Sequence, residues 1–378
     1  MDYSKISSPC FVLGEAKLRK NLELIRFVQD KAGVEIILAF KGFAMWSAFP
    51  VVREYIRGAT ASSLFEAQLC VEKMEAKAHV YAPAYIPDEF PELISMASHV
   101  VFNSLNQFNT FYPQIPKTGK SISCGIRVNP EKSDVGTDLY NPSSPKSRLG
   151  VLKEFFPEEL PAGVEGLHFH VLCESDSYSL EHTLESFEHL FGAYLHQLKW
   201  VNMGGGHLMT RVGYDVEHLI QVLKRFKEKY KVHVILEPGS AFAWDTGVLV
   251  SKVLDVVESR GVKTAILDVS FTAHMPDTLE MPYRPRIIGA KEPTADSKFL
   301  YRLGGLSCLA GDFMEVYDFG KDLKIGDKVV FEDMMHYTMV KTTLFNGVGH
   351  PSIAIWKQDN NLQMVREFTF SDYLNRLS

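Results

Sequence analysis

Short apolar runs alternate with amphipathic stretches from Val34 to about Gly239, and that alternation dominates the 378-residue chain. The runs that read as strands are Val34–Lys41, Gly58–Ser62, Ala78–Ala82, His99–Asn103, Ser123–Asn129, Gly163–Val171, Leu198–Met203 and Val232–Glu237. Between them, Tyr178–Leu195 and Val216–Tyr230 carry helical periodicity. In Ser62-Ser-Leu-Phe-Glu66 a serine precedes a glutamate by three residues, the mark of a capped helix start, and that helix runs on to Met74. Eight β-then-α units in succession predict a (β/α)8 barrel with its chemistry at the carboxyl ends of the strands. A doubly wound open sheet is the rival arrangement, and the near-even spacing of the units favours closure.

After about Trp244 the texture changes to β-rich segments separated by Gly, Pro and Asp turns: Val248–Val257, Thr264–Val269, Lys298–Leu303, Lys328–Glu332 and Ser352–Lys357. This predicts a barrel over residues 12–244 and a second, all-β domain over 245–378, with residues 1–11 packing against the latter. The segment Glu131–Arg148, rich in Ser, Asp, Pro and Asn, reads as a long polar loop bordering the strand ends.

Composition narrows the function classes. A net charge of −6 provides no basic field, which argues against a nucleic-acid partner. No apolar stretch reaches the ~18 residues that span a bilayer, and Met-Asp-Tyr-Ser-Lys-Ile-Ser-Ser-Pro lacks the apolar core of a signal peptide. The expectation is a cytoplasmic protein with no membrane partner. Cys10, Cys70, Cys124, Cys173 and Cys308 are odd in number and scattered, without CxxC spacing, so neither a disulfide framework nor a metal site is expected.

Candidate chemistry sits at the predicted strand ends. Lys41 closes an apolar run, where an ammonium is costly to bury and its pKa falls. It either snorkels to water or holds an aldehyde cofactor as a Schiff base. His168 and His170 alternate on one strand and project the same way. Gly204, Gly205 and Gly206 follow the seventh strand, where barrels often bind phosphate, and a run of glycines brings backbone N–H groups close to an anion. Glu237 ends the eighth strand and, if buried, needs a partner: a structural cation or a protonated ring nitrogen. In the β-rich part, Cys308 and Asp312 share a glycine-bearing loop, and the phenol of Tyr337 is a candidate phosphate donor.

Lys41, His170, Gly204–Gly206, Glu237-Pro-Gly, Cys308 and Tyr337 occur in an order that resembles the pyridoxal-phosphate decarboxylases with an alanine-racemase-type barrel. Within that group, Ala39-Phe-Lys41-Gly, His168-Phe-His-Val-Leu-Cys-Glu174, Glu237-Pro-Gly-Ser-Ala241, His274-Met-Pro-Asp277, Met281-Pro-Tyr-Arg-Pro285, Cys308-Leu-Ala-Gly-Asp312 and His336-Tyr-Thr-Met-Val-Lys341 resemble the carboxynorspermidine (carboxyspermidine) decarboxylase branch.

The resemblance implies pyridoxal 5′-phosphate carried on Lys41. His170 stacks on its ring, Glu237 pairs with its ring nitrogen, and Gly204, Gly205, Gly206 and Tyr337 bind its phosphate. It also implies a homodimer with shared active sites, Cys308 and Asp312 coming from the partner subunit and Cys308 protonating the decarboxylated carbon. The reaction implied is decarboxylation of carboxynorspermidine or carboxyspermidine to norspermidine or spermidine and carbon dioxide. Asp312, Glu280 and Asp277 are the candidate ligands for the cationic arm, and Arg284 for an anion. Three positions, in two motifs, depart from the ornithine and diaminopimelate enzymes. Leu172 and Cys173 stand where glycine and serine are usual, and Ser240 stands where arginine is usual, able to help only as a neutral donor. The alternatives are a diaminopimelate or other basic amino-acid decarboxylase, a non-catalytic pyridoxal-phosphate carrier, and a barrel that binds no cofactor.

Overall fold

The eight apolar runs become eight strand positions of one parallel sheet. In the computed structural model, which describes residues 1–119, 121–136, 141–280 and 283–378, the strands are Glu35–Ile36 with Leu38–Ala39, Ala59–Ala61, Ala78–Tyr81, Ala97–Phe102, Ser123–Arg127, Gly166–His168, Trp200–Asn202 and His233–Leu236. Glu35–Ile36 pairs with the last of these, and Leu38–Ala39 with Ala59–Ala61. The two segments are one strand interrupted at Ile37, whose N–H still reaches the Leu236 carbonyl (2.9 Å), so the sheet closes through it. Closure excludes the open doubly wound sheet.

The interior is filled by large side chains facing small ones. Trp200 reaches over the neighbouring strand Gly166–His168 to the next, Ser123–Arg127, where a Cβ on Gly166 or Gly125 would come within 2.1 or 2.3 Å of its ring. Ile37, Val101 and Ile235 complete that layer, and the indole N–H is satisfied by Ser123 Oγ (2.8 Å). Outside, Asp176 and Asp215 cap the helices Ser177–Leu195 and Val216–Tyr230. The apolar faces of the two helices meet through Phe187 and Phe226, 6.3 Å between centroids.

At the amino-terminal end of the strands, the imidazoles of His79 and His99 lie 3.9 Å apart, and His233 binds the Glu35 carboxylate (2.8 Å). Burial, then the neighbouring His99, pushes His79 down to about 3, and burial also lowers His99; Glu35 opposes both shifts, while the His233 charge adds to them. The unfolded chain therefore binds more protons than the folded one between pH ~6.5 and the depressed values, and stability falls as pH drops through that window. Replacing His79 by leucine is expected to remove on the order of 3 kcal/mol of acid sensitivity between pH 7 and 4. Urea unfolding at both pH values measures it, and an unchanged acid limb would refute the assignment.

The second compact unit comprises Met1–Lys20 and Ala243–Ser378, the barrel unit being Asn21–Phe242. Its long central strand, Gly247–Ser259, pairs antiparallel with Cys10–Gly14, Val262–Leu267 and Lys328–Glu332. Leu300–Gly304, Phe313–Asp318, Ser352–Trp356 and Leu362–Arg366 complete the sheet. The boundary read at residue 12 falls inside Cys10–Gly14, all of which pairs in this sheet: Val12 packs with Cys10, Val248, Val250, Val330 and Ala354. The unit is also not purely β, because it ends in the helix Phe370–Leu377, started by a capping box between Thr369 and Asp372.

Candidate active site

Polar side chains converge at the carboxyl end of the barrel. Lys41 lies just past the first strand and its side chain is accessible by area, yet enough protein surrounds it that desolvation is the largest influence on its amine. A group that water reaches while protein encloses it stands on the wall of a recess. Desolvation and the Arg127 cation lower its pKa, while Glu237 and Glu66 oppose them. Ser63 caps the helix, its Oγ accepting from Glu66 N–H (3.2 Å), while the Glu66 carboxylate accepts from Ser62 N–H (2.6 Å), one residue before the cap, so only half of the expected capping box forms.

His170 assigns the state of that amine. Gly205 N–H donates to His170 Nδ1 (2.7 Å), so the network places the neutral ring's proton on Nε2, the atom 3.0 Å from Lys41 Nζ. Only an unprotonated amine can accept from it. Burial, with Lys41 and Arg127 nearby, also holds His170 well below the usual imidazole range. Lys41 is thereby kept as a neutral amine, the nucleophilic form.

Glu237 is buried, and burial raises its pKa against the pull of Asn202, Lys41, Thr60 and Arg127. Asn202 Nδ2 donates to Glu237 Oε1 (2.7 Å), while Asn202 Oδ1 accepts from Gly204 N–H (2.8 Å). His168 stands behind, its Nε2 3.7 Å from Glu237 Oε2. Arg127 is buried beside them, donating to the His170 carbonyl (2.9 Å) with its guanidinium over the Tyr81 ring (4.7 Å).

The glycine triplet serves packing as much as donation. A Cβ on Gly204, Gly205 or Gly206 would approach the backbone of residues 169–173 or Glu237 to 2.5, 2.4 and 2.2 Å. With the Gly204 and Gly205 N–H groups used by Asn202 and His170, only the Gly206 N–H is without a partner among the described residues. Ser240 is buried and donates to Glu174 Oε1 (3.4 Å).

The remaining candidates belong to the sheet unit. Cys308 is exposed, its N–H bound by Asn346 Oδ1 (2.7 Å). Asp312 is buried, and its carboxylate accepts from the N–H groups of Thr272 (3.1 Å) and Ser307 (3.0 Å), clamping the loop that carries Cys308. Glu280 pairs with Lys341, and Arg284 with Glu315. Asp277 Oδ2 accepts from Thr338 (2.8 Å) and Tyr283 (2.9 Å), leaving a buried Oδ1 without a partner among the described residues. Tyr337 adopts φ 47°, a left-handed conformation that bulky residues enter only when the surroundings hold them there. Met281 and Pro282 of the motif read at 281–285 lie outside the described residues.

Sequence reasoning missed Arg127, Asn202, Thr60 and Glu174. Arg127 carried the signal that exposed Lys41, a cation inside an apolar run. The amine, the buried carboxylate, the imidazole and the Gly206 and Ser240 donors together suit a pyridoxal phosphate: a nucleophile for its aldehyde, an anion for its basic ring nitrogen and donors for its phosphate. Among the described residues no His/Cys/Asp/Glu group could hold a metal ion.

Residues 85–335 match the family model described as pyridoxal-dependent decarboxylase, C-terminal sheet domain. The chain is 50% identical over 376 residues to the carboxyaminopropylagmatine decarboxylase of Synechocystis sp., covering 99% of this chain and 96% of the relative. It is 47% identical to the carboxynorspermidine/carboxyspermidine decarboxylase of Campylobacter jejuni, covering 99% of both. The crystal structure of carboxynorspermidine decarboxylase from Campylobacter jejuni, complexed with norspermidine, superposes with a TM-score of 0.91 at 45% identity, over 98% of this chain and 100% of that one.

Proposed function

The chain belongs to the pyridoxal-dependent decarboxylases, and on that footing we propose that it removes the carboxylate from the amino-acid end of a carboxylated polyamine, carboxynorspermidine or carboxyspermidine. The reading is carried by the neutral Lys41 amine, held by His170 at the mouth of a barrel that also presents the buried Glu237. The Campylobacter relatives support the substrate class. Membership of a decarboxylase family removes the non-catalytic carrier from consideration.

Bound pyridoxal phosphate supplies the electron sink that lets a bond at the amino-acid α-carbon break. Lys41 would hold its aldehyde. Glu237, as an anion in a low-dielectric pocket, would keep a proton on the ring nitrogen, which would favour full charge withdrawal over the partial withdrawal expected beside a cation. His170 would orient the ring. Gly206 and Ser240 would hold the phosphate, and Tyr337, on the sheet unit, stays a candidate donor on the sequence resemblance. Cys308 Sγ would supply the proton that replaces the departing carboxylate on the α-carbon. We assign Cys308 to the partner subunit of a homodimer, its exposed loop shaped by Asp312 and Asn346. Of the three carboxylates, Asp277 keeps a buried acceptor oxygen that no described group uses, whereas both Asp312 oxygens accept backbone N–H groups and the exposed Glu280 is paired with Lys341, which favours Asp277 for a substrate amine. We place the reaction in the cytoplasm, a reading supported by five free cysteines and by the absence, among the described residues, of a helix able to cross a membrane.

The 50% identity to the Synechocystis enzyme favours a second reading, in which the arm ends in a guanidinium group. Carbon dioxide release from carboxynorspermidine, carboxyspermidine, carboxyaminopropylagmatine and diaminopimelate separates these. A carboxylated polyamine should exceed diaminopimelate by at least ~100-fold in kcat/KM, since an unfilled polar subsite is heavily penalised. The first two should lie within about tenfold of each other, because one methylene is worth only ~1 kcal/mol. Preference for carboxyaminopropylagmatine would select the second reading, and turnover of diaminopimelate alone would overturn both.

A further inference from the structure

Glu174 has no part in the chemistry above, yet its carboxylate meets Ser240, the serine proposed for the cofactor's phosphate. The loops after the sixth, seventh and eighth strands join at this point. Ser175 N–H donates to the Gly206 carbonyl (2.9 Å), Leu208 N–H to the Ser175 carbonyl (3.3 Å), and Ser240 Oγ to Glu174 Oε1 (3.4 Å). Glu174 itself lies in the left-handed region at φ 46°, and Arg211 Nη1 donates to its carbonyl oxygen (3.1 Å). An acidic residue is thus held, in a conformation unusual for it, beside the buried Ser240.

Ser240 has one hydroxyl proton. While it is donated to Glu174 it is not available to a phosphate, and a phosphate bound at Ser240 faces a carboxylate of like charge. We propose that Glu174 is a positioning residue that competes with the cofactor's phosphate for Ser240, so that this chain holds pyridoxal phosphate less tightly than its Gly206 and Ser240 donors alone would allow. Arg211, anchored to the Glu174 backbone, is the nearby cation that moderates the repulsion. The inference rests on the assignment of the Lys41 recess to pyridoxal phosphate and concerns only its phosphate end.

The test compares two aldehydes on full-length protein freed of cofactor: pyridoxal 5′-phosphate and phosphate-free pyridoxal, each titrated by the absorbance of the Lys41 adduct. The measured quantity is the phosphate preference, the ratio of the two dissociation constants. Glu174→Gln and Glu174→Ala are each expected to raise it roughly tenfold by removing a like charge at close range, with pyridoxal binding unchanged. Ser240→Ala should lower it. Raising the salt concentration should narrow the gap between wild type and Glu174→Gln. A preference unchanged or reduced in both Glu174 variants would overturn the proposal while leaving the Lys41 assignment standing. A wild-type protein that forms no adduct with either aldehyde would overturn the parent reading, and this one with it.

Discussion

Replacing Lys41 by alanine should abolish decarboxylation and leave a colourless protein. The amine is presented in this recess as an unprotonated nucleophile, stabilised by His170 Nε2 at 3.0 Å and by the desolvation that lowers its pKa. Removing a residue that forms the covalent link to its cofactor typically lowers turnover by on the order of 10⁴-fold or more. Stability should barely change, because a neutral amine in an accessible recess leaves behind neither a buried unpaired charge nor a closed cavity. Lys41→Arg is the sharper control: it places a permanent cation beside Arg127, cannot act as a nucleophile, and should be equally inactive. Visible absorbance after incubation with pyridoxal phosphate, followed by gel filtration, reads the result. Retained colour in Lys41→Ala would sink the assignment.

How much of this site could be read from the chain depends on the range of the interaction. Lys41 and Glu237 were legible because each is a charge ending an apolar run, a local contradiction that asks for a partner. Arg127 makes the same contradiction within Ser123–Arg127, but its partners, the His170 carbonyl and the Tyr81 ring, come from other strands. The glycine triplet was legible as a place of close approach, though not as to what approaches: its neighbours are largely the backbone of residues 169–173. Asp312 reads from sequence as a carboxylate free for a substrate, whereas one of its two backbone donors lies 40 residues away at Thr272. The strand Cys10–Gly14 is a short apolar run between Pro9 and Gly14, and what assigns it to the second unit is non-local: its partners begin at Gly247 and Ser352. Strand existence followed from local hydrophobicity, while donor availability followed from tertiary pairing.

Glu237→Gln separates the cost of the site from its use. The amide is nearly isosteric and can still accept from Asn202 Nδ2, so the Asn202–Gly204 network survives. What disappears is the anion. Burial already raises the pKa of Glu237, so the folded protein is held in a state its solvation disfavours, and a neutral group there should leave the melting temperature unchanged or higher. Lys41 loses a charge that opposes its depression, which keeps the amine neutral and leaves cofactor capture intact. The ring nitrogen, in contrast, would lose the carboxylate proposed to keep it protonated, and charge withdrawal from the α-carbon would weaken with it. A fall in kcat on the order of 10²–10³-fold is expected, the size seen when one electrostatic partner of a developing charge is removed. KM should move far less, because Glu237 is assigned to the ring nitrogen and not to the substrate's arm. Turnover within about threefold of wild type would show that Glu237 is a structural carboxylate. A large drop in melting temperature would show the same, since the residue would then be holding the barrel together instead of the proton.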